Sequence, residues 1–251
     1  MKSTMSEFTK KLILFFLGFL GMYVIIIAFQ LLNLFGAVFA AFDVNLLVNQ
    51  INFLVNSNVM INYVVYVTTF IIMIPLLGPQ SLRKILLEFK VSDNVKNGIA
   101  FGIILMSASA IYNNFIRIII PNLAENQNEV AVEGIIVANP FLSAIVVAIL
   151  GPVVEEITYR FGLFGSIRKK SRVLAYIATI LVFSLIHFNF ACQTTNEWII
   201  ELLNLPSYMI AAAILCYAYD RNSTLSVSII AHILNNGLSV LLTLLMGAVA
   251  A

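Results

Sequence analysis

Charge is what this sequence lacks. Only 10% of its 251 residues are Asp, Glu, Lys or Arg, while 61% are hydrophobic; a typical soluble domain carries roughly 25% charged residues. Such a chain cannot cover a water-facing surface, so lipid must be its solvent. The formal net charge of +2 is too small to point to nucleic acid as a partner. Two cysteines, Cys192 and Cys216, make neither a disulfide framework nor a CxxC metal pair, and both read as small apolar packing residues. Aspartate occurs only at Asp43, Asp93 and Asp220, all near span ends, which excludes an intramembrane aspartate pair. No HExxH zinc motif and no GxSxG serine elbow is present. Histidine is confined to His187 and His232.

What is there is apolar sequence in long runs. A spanning helix takes about 20 mostly apolar residues, and seven segments qualify: 12–40, 59–79, 97–120, 140–164, 173–190, 199–219 and 224–249. The fold class is therefore an all-α polytopic transmembrane bundle of about seven spans, an eighth crossing being the less favoured count. The stretch from Phe42 to Asn58 alternates apolar residues with Asn and suits a surface segment or an extension of the first span. The run behind Met1 to Lys11 is longer than a signal-peptide core and has no convincing cleavage site, so the first helix is expected to be retained. No linker or internal repeat divides the chain, which reads as one membrane domain over 1–251.

Basic residues set the sidedness. Lys2, Lys10 and Lys11 precede the first span. Arg83, Lys84, Lys90 and Lys96 follow the second, Arg168, Lys169, Lys170 and Arg172 the fourth, and Arg221 the sixth. With seven spans all of these share one side. The opposite loops carry Asp43, Glu125, Glu129, Glu133 and Glu197 and no lysine. The expectation is a multi-pass cell-membrane protein with a cytoplasmic N-terminus and an external C-terminus. The polar connection from Asn122 to Glu133 reads as an external, solvated segment.

Three charges fall where lipid penalises them. A charge at a span centre costs about 2.5–3.5 kcal/mol on insertion scales, yet the fourth span carries Glu155, Glu156 and Arg160. Glu156 and Arg160 are four apart and share a helix face, which predicts an ion pair. Glu155 is rotated by about 100° from Glu156 and points elsewhere, without a partner in its own helix. Pro152, beside Gly151, removes one backbone donor and leaves a carbonyl unpaired just before the acidic pair. Phe183 lies one turn before His187 and packs beside its ring. Asn236 follows His232 by four residues and shares its face, so the two offer donors aimed at one point. Asn235 points away, towards another helix. Ser184 bonds to its own backbone.

Peptide hydrolysis calls for an activated nucleophile, a base and an oxyanion site. Glu155 can take a proton from water, His187 can help to hold that water, and His232 with Asn236 can stabilise the oxyanion. Two histidines and a glutamate on separate helices leave a metal as the weaker alternative; no cofactor is expected. A transporter using the Glu/His cluster as a proton relay would show paired repeats of spans, and none is found.

Glu155-Glu156-Arg160, Phe183-His187 and His232-Asn236 match, in order, the EExxxR, FxxxH and HxxxN motifs. At these residues the chain resembles the CPBP family of intramembrane glutamic proteases, also called the Abi or CAAX-protease-like, Rce1-type family. The resemblance covers about residues 140–245, the expected catalytic core. It implies that Glu155 and His187 activate water, that His232 and Asn236 form the oxyanion hole, and that Glu156, Arg160 and Phe183 organise the site. It also implies a membrane-associated peptide or protein substrate, in bacteriocin or pheromone peptide maturation or in self-immunity. A non-catalytic scaffold or bacteriocin-immunity protein that keeps the protease fold is the alternative.

Overall fold

The computed structural model describes residues 6–40, 58–121 and 123–250. The described residues form eight helices in order: α1 (Glu7–Ala40), α2 (Asn58–Glu88), α3 (Ser92–Ile119), α4 (Gln127–Ala138), α5 (Pro140–Ile167), α6 (Arg172–Leu185), α7 (Thr195–Asn222) and α8 (Leu225–Ala250). The protein is an all-α polytopic bundle, with no strand among the described residues. Asp43 and the Asn-rich stretch up to 57 lie outside the described residues.

Among the described residues six helices are long and apolar enough to cross a membrane: α1, α2, α3, α5, α7 and α8. The expected span over 173–190 is only the 14-residue α6, about 21 Å at 1.5 Å per residue, against a hydrocarbon core of about 30 Å. The helix stops at Leu185, and the apolar residues beyond it enter a turn.

Helix α5 is the centre of the bundle. In its most apolar window 56% of residues are buried, against 11–22% in the other five spans. Val154, Ile157 and Phe164 of α5 pack with Leu14 of α1, Met73 and Leu77 of α2, and Leu225 and Ile229 of α8. The close fit of α3 to α8 depends on glycine. A Cβ at Gly98 would come within 2.7 Å of Ile230, and one at Gly102 within 2.9 Å of Leu234. Small residues four apart let membrane helices approach closely, and this contact seats the stretch of α8 that carries His232. Helix α2 bends at Gly78, whose φ of 70° suits glycine; Pro79 follows it.

The basic segments meet at one end. Lys10 donates to Ser81 (2.6 Å) and Lys11 to the Gly165 carbonyl (3.4 Å). Lys170 lies over the Phe8 ring. Arg168 pairs with buried Asp220 at 2.6 Å, and Arg172 pairs with the same carboxylate.

At the other end, the segment read as a solvated connection folds into α4 from Gln127 onward. Two side chains satisfy its first amides. Asn126 Oδ1 accepts from the Glu129 N–H (2.8 Å), and buried Glu201 accepts from the Gln127 N–H (2.8 Å). A side-chain acceptor at a helix start contributes about 1 kcal/mol.

Glu129 makes this end pH-sensitive. Burial first, then the Glu125 and Glu133 carboxylates, push its carboxyl above the usual 4.5, against the opposing pull of Arg117 and the Tyr208 hydroxyl. A carboxyl raised by folding favours the fold when protonated. Its contribution is complete below the unfolded value and is lost as pH rises through the folded one. The melting temperature of the purified chain should therefore fall as pH rises above the ordinary carboxyl value of 4.5, and Glu129→Gln should flatten that fall.

Candidate active site

The backbone of α5 departs from α-geometry where its charges sit. Val146–Leu150 and Glu156–Phe164 are π-helical, with the short α-turn Gly151–Glu155 between them. π-turns are rare and recur at functional sites. Pro152 explains part of this. In the first π-turn the Gly151 N–H reaches back five residues to the Val146 carbonyl. Continued in that register, residue 152 would bond Val147, but proline has no N–H. The freed Val147 carbonyl accepts instead from Asn236 Nδ2 of α8, at 3.2 Å.

The two glutamates have different surroundings. Glu156 is fully buried and lies 3.0 Å from Arg160 Nη1, itself fully buried. Its Oε1 also accepts from His232 Nδ1 at 2.9 Å. Arg160 in turn lies over the Phe183 ring, 4.4 Å from its centroid, a favourable cation–π placement. Glu155, 8% exposed, has no cation from its own helix. Its Oε1 accepts from the Tyr66 hydroxyl of α2 at 3.0 Å, and its Oε2 faces His232 Nε2 at 3.8 Å. That last separation exceeds a direct hydrogen bond and is one that a single water can bridge.

Both imidazoles are held by an acceptor, which sets the tautomer. His187 lies in the turn after α6, where Nδ1 is 2.8 Å from the Phe183 carbonyl. That carbonyl is among the last four of the helix, which lack an intrahelical partner. A carbonyl only accepts, so Nδ1 carries the proton and Nε2 the lone pair. The same logic gives His232 a proton on Nδ1, donated to Glu156. Its Nε2 can then donate to an oxyanion only in the doubly protonated form. Phe183 sits between the rings, 4.8 Å from His187 and 6.2 Å from His232.

Helices α5 and α8, with α6 and the turn that follows it, thus bring Glu155, Glu156, Arg160, Phe183, His187, His232 and Asn236 into one connected cluster. In two respects it differs from the sequence expectation. His232 and Asn236 each spend one donor elsewhere, on Glu156 and on Val147, rather than converging with all donors free. Asn235 turns to its neighbour, with Nδ2 3.2 Å from Asn236 Oδ1, rather than to another helix. Ser184 bonds the Ile180 carbonyl of its own helix at 2.7 Å, as its position in α6 suggests.

Two tyrosines join that sequence reasoning missed. Tyr66 touches Glu155, and Tyr208 stacks on His187 with centroids 4.6 Å apart and planes 19° from parallel. Both arrive from distant segments, and no spacing rule in the sequence links them to the motifs. Among the described residues no three His, Cys, Asp or Glu side chains gather to hold a metal ion.

No curated protein and no solved structure matches the chain. Residues 137–238, less than half of the chain but the stretch holding all three motifs, match the family model described as type II CAAX prenyl endopeptidase Rce1-like, which bears out the resemblance to CAAX-protease-like membrane proteases.

Proposed function

We propose that this protein is an intramembrane endopeptidase that cleaves a membrane-associated peptide or protein with a water activated by Glu155. The observation that carries this reading is the contrast between adjacent glutamates. Glu156 is neutralised by Arg160 and committed to His232, whereas Glu155 keeps one oxygen facing an imidazole across 3.8 Å.

In the reaction, Glu155 takes one proton from water as the oxygen attacks the scissile carbonyl carbon. His187, with its Nε2 lone pair free, orients that water. The oxyanion is stabilised by the remaining Asn236 amide hydrogen and by His232 in its protonated form. Glu155 then returns the proton to the leaving nitrogen as the C–N bond breaks. Nε and Nη2 of Arg160 and the Tyr159 hydroxyl have no hydrogen-bond partner among the described residues. Buried polar groups seldom remain so, and water at this place would serve both them and the chemistry.

Residues 140–245 then form the catalytic core of a single membrane domain. The grouping of the basic segments at one end supports a cytoplasmic N-terminus, and α8, which starts at that end where the Leu225 N–H donates to Glu88 and runs away from it, supports an external C-terminus. The physiological substrate class implied by the resemblance is a bacteriocin or pheromone precursor, or a target in self-immunity.

The test is the purified full chain in liposomes, given a panel of internally quenched peptides that includes a farnesylated CAAX peptide. Wild type should cleave at least one, and His187→Ala should lose about 100-fold or more in kcat. A correctly folded wild type silent on the whole panel would favour the scaffold reading. Cleavage abolished by a zinc chelator and restored by zinc would assign water activation to a metal instead.

A further inference from the structure

Among the described residues, the one hydrogen bond made to the Glu155 side chain comes from outside the family-matched stretch. Tyr66 belongs to α2, 89 residues before Glu155 in the chain, and its hydroxyl donates to Glu155 Oε1 at 3.0 Å. Its placement is built in on both sides. On α2, Val65, Thr69 and Met73 are buried at helical spacing and dock the helix on its neighbours. On α5, Gly151 lies one turn before Glu155, and a Cβ there would stand 3.6 Å from two Tyr66 ring carbons. The ring therefore packs across the glycine, and its hydroxyl reaches the carboxylate.

We propose that Tyr66 is a positioning residue for the proteolytic reaction. By holding Oε1 it fixes the carboxylate rotamer and leaves Oε2, the oxygen that faces His232 Nε2, as the one that meets water. A carboxylate on a flexible side chain otherwise samples several rotamers, and only a narrow set places an oxygen for proton transfer. The N-terminal part of the chain then supplies part of the active-site machinery. This inference rests on the proteolytic reading above.

A tyrosine that merely ties α2 to α5 would make the same contact, so the test must separate the two roles. Tyr66→Phe keeps the ring over Gly151 and removes only the hydroxyl. A hydrogen bond to a charged group is worth about 10- to 100-fold when its strength is expressed in the transition state. On whichever panel peptide wild type cleaves, kcat should fall by about that factor with KM unchanged. A melting-temperature cycle with Glu155→Leu gives a readout independent of substrate. In that background Tyr66→Phe should no longer lower the melting temperature, because the bond is already gone.

An unchanged kcat in a folded Tyr66→Phe variant overturns the positioning role. A loss confined to melting temperature, or equal effects of Tyr66→Phe with and without Glu155, also overturns it. If wild type cleaves no peptide, the proteolytic reading fails and the positioning role fails with it, whereas coupling in the melting cycle would still establish the contact.

Discussion

Glu155→Gln is expected to leave the protein folded and to remove cleavage. Glutamine has nearly the same volume, and its amide oxygen can still accept from the Tyr66 hydroxyl that now bonds Oε1 at 3.0 Å. The Glu156–Arg160 pair and the His232–Glu156 bond do not involve position 155, so the melting temperature should stay near that of wild type. An amide cannot take a proton from water. Loss of a general acid–base group typically costs about 10²- to 10⁴-fold; here the same carboxyl would serve both proton transfers, so the upper end of that range is expected. Single-turnover cleavage in liposomes with matched protein amounts measures this. Retention of more than about a tenth of the wild-type rate would contradict a base at this position.

How far the site could be read from the chain depended on the range of each interaction. The Glu156–Arg160 pair and the separate direction of Glu155 follow from local helical geometry, which survives the local change to π-turns because residues four apart remain neighbours. The bond from Ser184 to Ile180 is equally local. The FxxxH spacing was legible as ring packing, but its second consequence was not. His187 lies beyond the end of α6, where its ring takes the Phe183 carbonyl, and a helical reading of 173–190 hides that. Pro152 signalled a freed carbonyl. The π-turn shifts the partner by one residue from the ordinary helical register, and Asn236 arrives from 89 residues away to meet Val147. Tyr66 and Tyr208 gave no signal, because an isolated tyrosine in an apolar helix looks the same whether it packs against lipid or touches a carboxylate. In the fold, span positions emerged from apolar length alone. The early stop of α6 and the helix α4 depend on capping contacts made by side chains such as His187 and Glu201.

Arg160→Ala should damage the fold rather than the chemistry alone. The guanidinium is fully buried, pairs with the equally buried Glu156, and fills the space over Phe183. Its removal strands a carboxylate without its cation and opens a cavity. Breaking a buried pair by deleting one partner costs about 3–5 kcal/mol, a large part of the 5–15 kcal/mol that ordinarily separates folded from unfolded states. Thermal unfolding in detergent should show a pronounced fall in melting temperature and in folded yield. The double change Glu156→Leu with Arg160→Met provides the control. Replacing a whole buried pair by apolar residues of similar volume is often neutral or stabilising, so this variant should regain much of the lost stability. It should nevertheless stay inactive, because His232 loses the acceptor that holds Nδ1 at 2.9 Å and with it the orientation of Nε2 towards Glu155. A double variant that recovers stability and also cleaves peptide would show that the pair has no part in orienting His232. One that recovers neither would show that the pair specifies the local π-helical structure of α5 beyond balancing its charge.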